Sequence, residues 1–103
     1  MARKVIWSKE AVDDIDSLAE YIARDSSYYA AAFVNDVIEI SRSLDRFSER
    51  GRIVPEFGDR GIRELIVKEY RLIYCIEETR VVILGVIHGK RDLQILRNKI
   101  KEN

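Results

Sequence analysis

Several residue types that mark particular protein classes are scarce in this sequence. Its 103 residues include one cysteine (Cys75), one proline (Pro55) and one histidine (His88). A lone cysteine cannot form an internal disulfide, and Cys75 stands in an apolar run where a small buried side chain is expected. The longest apolar run, residues 81–87, is far shorter than the roughly 18 residues of a membrane span. We therefore expect neither a disulfide framework nor a membrane-spanning helix.

Common catalytic and cofactor motifs are missing as well. The sequence has no phosphate-binding Walker loop, no GxSxG nucleophile elbow, no HExxH zinc motif and no paired cysteines. We therefore expect no metal and no other cofactor. The first ten residues contain no signal-peptide core, so we expect a soluble, cytoplasmic protein.

The length predicts one small domain over residues 1–103, because single domains commonly have about 100–150 residues. The charges divide unevenly although the total is zero: residues 1–59 carry a net −4 and residues 60–101 a net +5. A basic C-terminal half favours an anionic partner, and an ordinary solvated surface is the alternative.

The apolar periodicity predicts an α+β fold, in which two N-terminal helices pack on a small, mainly antiparallel sheet. The loop around Pro55 is too apolar for a free linker and is expected to lie across the sheet edge. A short C-terminal helix either covers part of the second sheet face or leaves that face to a partner. The expected elements are a strand at 5–7, a helix from Ser8 to about Arg24, a second helix with its apolar stripe from Ala30 to Phe47, strands at 62–67, 70–76 and 81–88, and a helix at 92–101.

The last two strands form a predicted hairpin whose turn centres on Glu78 and Thr79. In that register Ile76 faces Val81 and Arg71 faces Val86. Strand alternation then places Arg71 and His88 on the same face, as diagonal neighbours roughly 7–8 Å apart. An arginine and the only histidine would thus meet at the open end of an apolar hairpin.

This pairing leads to a chemical hypothesis. Lys90 and Arg91 follow His88 directly, and Glu56 reaches the same end if the Pro55 loop folds over. One histidine, one carboxylate and several fixed cations suit RNA cleavage without a metal. The histidine and the glutamate supply a base and an acid, while arginine stabilises the charge on the phosphorus. The predicted catalytic residues are Arg71, His88, Glu56 and Arg91, and the predicted anion-binding residues are Arg63, Lys68 and Lys90.

Each of these residues also has a structural alternative. A histidine at a strand end commonly serves packing, and Arg71 could pair with a carboxylate such as Glu69 or Asp92. Residues 90–92 could form a plain turn that leads into a helix.

The sequence resembles the RelE/ParE superfamily of toxins from toxin–antitoxin pairs over nearly its whole length. The order and spacing of several short segments carry the likeness, rather than any single motif. These segments are the strand at 5–7, the two helices, Gly51-Arg52-Ile53-Val54-Pro55-Glu56, Arg63-Glu64-Leu65, Tyr70-Arg71-Leu72-Ile73-Tyr74 and Ile87-His88-Gly89-Lys90-Arg91-Asp92-Leu93.

The resemblance implies a RelE-like fold and a cognate protein antitoxin that inhibits the toxin. RelE-like members cleave mRNA in the ribosome, and Arg71 and Arg91 match their arginines. The YoeB branch has a catalytic glutamate, arginine and histidine. Glu56 and Arg71 match the first two, and His88 falls at the position of the third or one residue from it. ParE-like members instead inhibit DNA gyrase without catalytic residues, and the segment 86–93 is similar to theirs. Ribosome-dependent mRNA cleavage is the first prediction, with gyrase inhibition and a non-toxic binding module as alternatives.

Overall fold

The computed structural model describes residues 2–90, which form two helices and a five-stranded sheet. The first strand precedes the helices, and the other four strands follow them. The elements are β1 (Lys4–Trp7), α1 (Lys9–Ala23), α2 (Ser27–Ser43), β2 (Arg52–Ile53), β3 (Ile62–Val67), β4 (Tyr70–Ile76) and β5 (Arg80–His88). The strand order is β1-β5-β4-β3-β2. Only β1 runs parallel to its neighbour β5, and the other pairs are antiparallel. The predicted α+β fold is therefore confirmed, whereas the C-terminal helix proposed for 92–101 lies outside the described residues.

Serine side chains begin both helices. The Ser8 hydroxyl accepts a hydrogen bond from the Ala11 amide at 3.1 Å, and the Ser26 hydroxyl accepts one from the Tyr29 amide at 3.2 Å. Each bond satisfies one of the amides that have no partner in the first helical turn. Neither helix of residues 2–90 is long and apolar enough to cross a membrane.

The apolar stripe of α2 ends earlier than predicted. The helix stops at Ser43, and its C-cap residue Leu44 is fully buried. Phe47 lies beyond the following turn and is 65% exposed, so the prediction that it belongs to the stripe is wrong. Helical periodicity no longer applies once the chain has left the helix.

Both faces of the sheet are apolar, and different parts of the chain cover them. The helices pack on one face, called here the helix face, where Phe33 and Val37 meet Leu72 and Tyr74. On the opposite face, Val54 from the segment after β2 packs with Ile62, Ile73 and Ile87. The prediction that the Pro55 loop lies across the sheet edge is confirmed, since β2 pairs with β3 and leads directly into Val54.

A β-bulge in β5 changes the predicted register of the hairpin. Ile76 pairs with Val81 as predicted, but Tyr74 pairs with Ile83 and Ile73 with Gly85, which leaves Leu84 without an opposite residue. One extra residue on one strand shifts every later pair by one.

The shift reverses the relation between Arg71 and His88. Arg71 pairs with Ile87, and His88 pairs with Tyr70. Because neighbouring residues of a strand point to opposite faces, Arg71 and His88 lie on opposite sides of the sheet. The prediction that they share a face, with Arg71 opposite Val86, is wrong.

The bulge lies where the neighbouring strand ends. The pairing of β1 with β5 stops at Trp7 and Ile83, and the Ser8 amide donates to the Ile83 carbonyl at 3.0 Å. Beyond the bulge, a carboxylate oxygen of Asp14 on α1 accepts from the Val86 amide at 3.0 Å. The first helix thus takes over the bonding of the β5 edge where β1 no longer reaches it.

Gly51 is required by the close approach of the loop to the sheet. The Tyr74 hydroxyl accepts from the Gly51 amide at 2.9 Å and donates to the Ser48 carbonyl at 2.7 Å. A Cβ at position 51 would lie 2.5 Å from the Tyr74 hydroxyl and 2.6 Å from the Glu64 carbonyl oxygen. Both distances are too short for any side chain.

We therefore predict that Gly51→Ala lowers the free energy of unfolding by about 1–3 kcal/mol, the usual cost of overpacking a core. Chemical denaturation measures the change. Gly61→Ala is the control, since its nearest atom is the end of the Asp59 side chain at 3.3 Å. Equal stability of the two variants would contradict the proposed steric requirement.

Candidate functional site

Arg71 is the centre of a charged cluster on the face of the sheet opposite the helices. Its side chain is 7% exposed, yet it contacts two carboxylates. The Nε atom donates to Glu64 at 2.5 Å, while Nη1 and Nη2 donate to the two oxygens of Glu56 at 3.0 Å each. The Glu56 contact is a bidentate pair, which fixes both position and orientation of the guanidinium.

Glu64 forms the buried floor of this cluster. Its side chain is fully buried, and its second oxygen accepts from Nε of Arg52 at 2.5 Å. A buried carboxylate is costly unless cations and hydrogen bonds compensate it, and here two arginines do so. Arg52 comes from the edge strand β2 and Glu64 from β3, which are paired neighbours. The cluster therefore links the loop, the edge strand and the sheet.

Glu56 closes the cluster from the solvent side. Its side chain is 46% exposed, so it is the accessible member of its pair with Arg71. The hydrogen bonds from Arg71 lower the pKa of Glu56, and those bonds in turn raise the pKa of Arg71. Both groups are therefore charged at neutral pH. The prediction that the Pro55 loop brings Glu56 to Arg71 agrees with this contact.

His88 lies on the helix face with different partners. Its ring contacts the Tyr70 ring edge-on, with 5.6 Å between the centroids. Nδ1 accepts from the Lys90 amide at 3.2 Å, and Nε2 lies 3.8 Å from the exposed carboxylate of Glu69. These contacts place the histidine beside a tyrosine and a surface glutamate rather than beside Arg71.

The three predicted anion-binding cations are dispersed. Arg63 donates to the carbonyls of Arg60, Glu49 and Gly51 at 3.0–3.2 Å, so it braces the loop. Lys68 lies 3.8 Å from Asp36 of α2, and Lys90 is exposed beyond the end of β5.

Arg91 lies outside the described residues. The roles assigned to all seven residues stay predictions, but Arg71 and Glu56 are brought together while His88 is separated from them.

Glu64 and Arg52 are members of the site that were not predicted from the sequence. A signal for Glu64 was available, because it is the one carboxylate inside the apolar strand 62–67 and needs a cationic partner there. The register of the turn at Lys68 and Glu69 is not fixed by the sequence, and the pairing of Val67 with Tyr70 in the structure places Glu64 on the face of Arg71. Arg52 had no comparable signal, since its position depends on how the loop meets the edge.

The four members, Arg52, Glu56, Glu64 and Arg71, carry two positive and two negative charges. A cluster that is neutral overall is suited to holding a loop on a sheet, and it offers no surplus cation to a phosphate. Among residues 2–90, no three histidine, cysteine or acidic side chains are grouped closely enough to hold a metal ion.

A pair of helices on one face of a five-stranded mixed sheet, with a loop fastened across the other face, defines the architectural class of the molecule. The sequence profile of the ParE toxins of type II toxin–antitoxin systems, parDE, matches residues 5–93. The chain therefore belongs to the ParE toxin family, within the RelE/ParE superfamily that the sequence resembles.

Two solved structures share the fold. One is from the chromosomal ParDE toxin–antitoxin system of P. aeruginosa, with a TM-score of 0.72, 18% identity, and coverage of 86% of this chain and 98% of that one. The other is from the toxin–antitoxin complex RelBE2 of Mycobacterium tuberculosis, with a TM-score of 0.60, 28% identity, and coverage of 85% and 99%. No curated protein sequence matches the chain.

The two glutamates of the cluster should differ greatly in their effect on stability. We predict that Glu64→Ala lowers the free energy of unfolding by about 3–5 kcal/mol, because it leaves Arg71 buried with less compensation. Glu56→Ala should cost less than about 1 kcal/mol, because that carboxylate is half exposed and screened by water. Urea denaturation of the two variants measures the contrast, and equal losses would contradict the burial argument.

The lowered pKa of Glu56 predicts how the stability of the folded protein changes with pH. The ordinary value is 4.5, and the folded-state pKa lies below it. The stabilisation by Glu56 is therefore fully present above pH 4.5 and is lost as the pH falls through the folded-state value. We expect the wild type to lose more stability than Glu56→Gln as the pH falls below 4.5. Glu78→Gln, which removes an exposed carboxylate far from Arg71, is the control.

Thermal denaturation at several pH values gives the two profiles. Parallel curves for the wild type and Glu56→Gln would show that the Arg71 contact does not stabilise the folded protein.

Proposed function

We propose that this chain arrests growth by binding DNA gyrase, as ParE-type toxins do, and that a protein antitoxin neutralises it. The observation that carries the proposal is the separation of Arg71 and His88 on opposite faces of the sheet. Metal-free cleavage of RNA needs an acid, a base and a fixed cation around one phosphate. A base and a cation on opposite sides of a sheet cannot contact the same phosphate.

The hydrogen bonding of Arg71 supports the same conclusion. Its Nε atom is occupied by Glu64, and its two terminal nitrogens are occupied by Glu56. A phosphate would have to displace the Glu56 carboxylate before it could form a bidentate contact. The arginine that the cleavage hypothesis needs is therefore neutralised by the chain itself.

Membership in the ParE toxin family also supports the proposal. Membership in the ParE toxins favours a target bound by surface complementarity, because the resemblance implies gyrase inhibition without catalytic residues. The neighbours of known structure come from a ParDE system and a RelBE2 complex, which supports a cognate antitoxin as the partner of this chain. Messenger RNA cleavage, the first prediction from the sequence, becomes the second candidate.

The proposal predicts that His88→Gln remains toxic. Because the histidine has no chemical role in gyrase binding, its expression should arrest growth like the wild type and induce the DNA-damage response. Cellular transcripts should stay intact during the first minutes after induction. The measurements are a growth curve, a DNA-damage reporter and mapping of RNA 5′ ends. Lys90→Gln, which alters a neighbouring exposed cation, controls for a general effect of surface charge.

Two results would contradict the proposal. One is loss of toxicity in a His88→Gln protein that melts at the wild-type temperature. The other is cut mRNA that appears before any DNA damage, which would favour ribosome-dependent cleavage.

A further inference from the structure

The segment between α2 and β2, residues 44–51, is held by arginine side chains from three parts of the chain. Arg3, which precedes β1, donates from Nη1 to the Ser48 hydroxyl at 2.9 Å. Arg63 of β3 donates from Nη1 to two carbonyls of the segment at 3.0 and 3.2 Å. Arg50, within the segment, donates from Nη1 to the hydroxyl of the last serine of α2 at 2.8 Å. All these acceptors are neutral, so the bonds position the guanidinium groups without compensating their charge.

The charge of these three arginines is balanced differently from that of Arg71. Within residues 2–90, none of Arg3, Arg50 and Arg63 forms an ion pair with a carboxylate. The Nη2 group of each makes no hydrogen bond in the same part of the chain. A guanidinium group with free N–H donors is suited to a phosphate oxygen, whereas the donors of Arg71 are occupied by carboxylates.

Two more arginines and an aromatic ring extend the same surface. Arg42 lies in the last turn of α2 and Arg46 one turn further on, both exposed and without an ion-pair partner in the range that the structure describes. Phe47 follows and is 65% exposed. Asp45 and Glu49 are the only carboxylates of residues 44–51, so positive charge is in surplus. The arginine surface, as it is called here, consists of Arg3, Arg42, Arg46, Arg50, Arg63 and Phe47.

We propose that the arginine surface contacts the phosphate backbone of duplex DNA. The inference rests on the proposed function, because gyrase acts on duplex DNA and a toxin bound to gyrase lies beside that DNA. Phosphates attract arginine whatever the base sequence. Arginines that the protein already holds in position lose less conformational freedom on binding. The exposed ring of Phe47 adds an apolar contact with the deoxyribose sugars.

A continuous polyanion fits this surface better than an acidic protein does. The arginines come from the N-terminal residues, from α2 and its following turn, and from β3. A phosphate backbone can meet cations from such separate elements, whereas a protein would need a matching set of carboxylates.

Charge counts by halves of the sequence conceal the arginine surface. The sequence predicted an anionic partner for residues 60–101, which carry a net +5, but Arg63 is the one member of the surface in that range. The other arginines belong to residues 1–59, whose net −4 arises because acidic residues are concentrated at 10–25.

The test measures binding of the full chain, without antitoxin, to a duplex DNA oligonucleotide of mixed sequence by fluorescence anisotropy at several salt concentrations. Each phosphate contact releases counterions, so the logarithm of the binding constant falls with the logarithm of salt concentration by about 0.9 per contact. We expect a slope of about −3 or steeper, because three arginines have a free Nη2 group. The double variant Arg46→Gln and Arg50→Gln should make the slope shallower by about two.

Arg24→Gln is the matched control and should keep the wild-type slope. This exposed arginine precedes α2, whose 17 residues separate it from Arg46 by roughly 25 Å at 1.5 Å per residue. Phe47→Ala should weaken binding by about threefold or more at every salt concentration without changing the slope, because it removes apolar area and no charge. Arg46→Gln alone replaces the double variant if that variant fails to fold, since the Arg46 side chain makes no hydrogen bond within residues 2–90.

Equal salt slopes for the wild type and a folded double variant would overturn the inference. Tighter binding of an RNA duplex of the same sequence would assign the surface to RNA and overturn it too. Failure to bind duplex DNA, with growth arrest and the DNA-damage response still present, would overturn the inference and leave gyrase as the proposed target. The expected slopes without a DNA-damage response on expression would support the DNA contact and overturn gyrase as the target.

Discussion

The extra residue Leu84 in β5 determines which side chains share a face at the open end of the central hairpin. Without it, the turn at Glu78 and Thr79 would place Arg71 and His88 together. With it, Arg71 faces the loop side with Glu64, and His88 faces the helices with Tyr70. The bulge is held where β1 ends, by bonds from Ser8 to the Ile83 and Leu84 carbonyls and by the Asp14 carboxylate on the Val86 amide. The junction between the first strand and the first helix therefore controls the chemistry available at the far end of the sheet.

Placing Arg71 on the loop side has an electrostatic consequence. A guanidinium that is almost fully buried needs carboxylates close by, and the sheet supplies one in Glu64 while the loop supplies the other in Glu56. Glu64 in turn needs a second cation, which Arg52 provides from the edge strand. The loop contributes Val54 to the apolar core of the same face. Its position is thus determined by charge pairing and hydrophobic burial together.

Much of the fold follows from local patterns in the sequence, while the site depends on a single irregularity. The two helices, the helical stripe through Val37 and the strand runs follow from short-range signals, and the structure has them as predicted. The contact between Glu56 and Arg71 followed from the apolar character of the Pro55 loop. The bulge was not predicted, because alternation counts residues on each strand as if all of them paired. Gly85 was its one sequence signal, since a glycine inside a strand often marks a bulge. Phe47 was misplaced for a similar reason, as the helical period was extended past Ser43.

The ion pairs of Arg71 determine whether this arginine can contact another molecule. Arg71, the arginine of the Tyr-Arg motif, lies in β4, and the carboxylates of Glu64 and Glu56 neutralise its charge inside the protein. In this chain the ion pairs with Glu56 and Glu64 hold the loop on the sheet, so Arg71 contributes to the fold rather than to an exposed cationic surface.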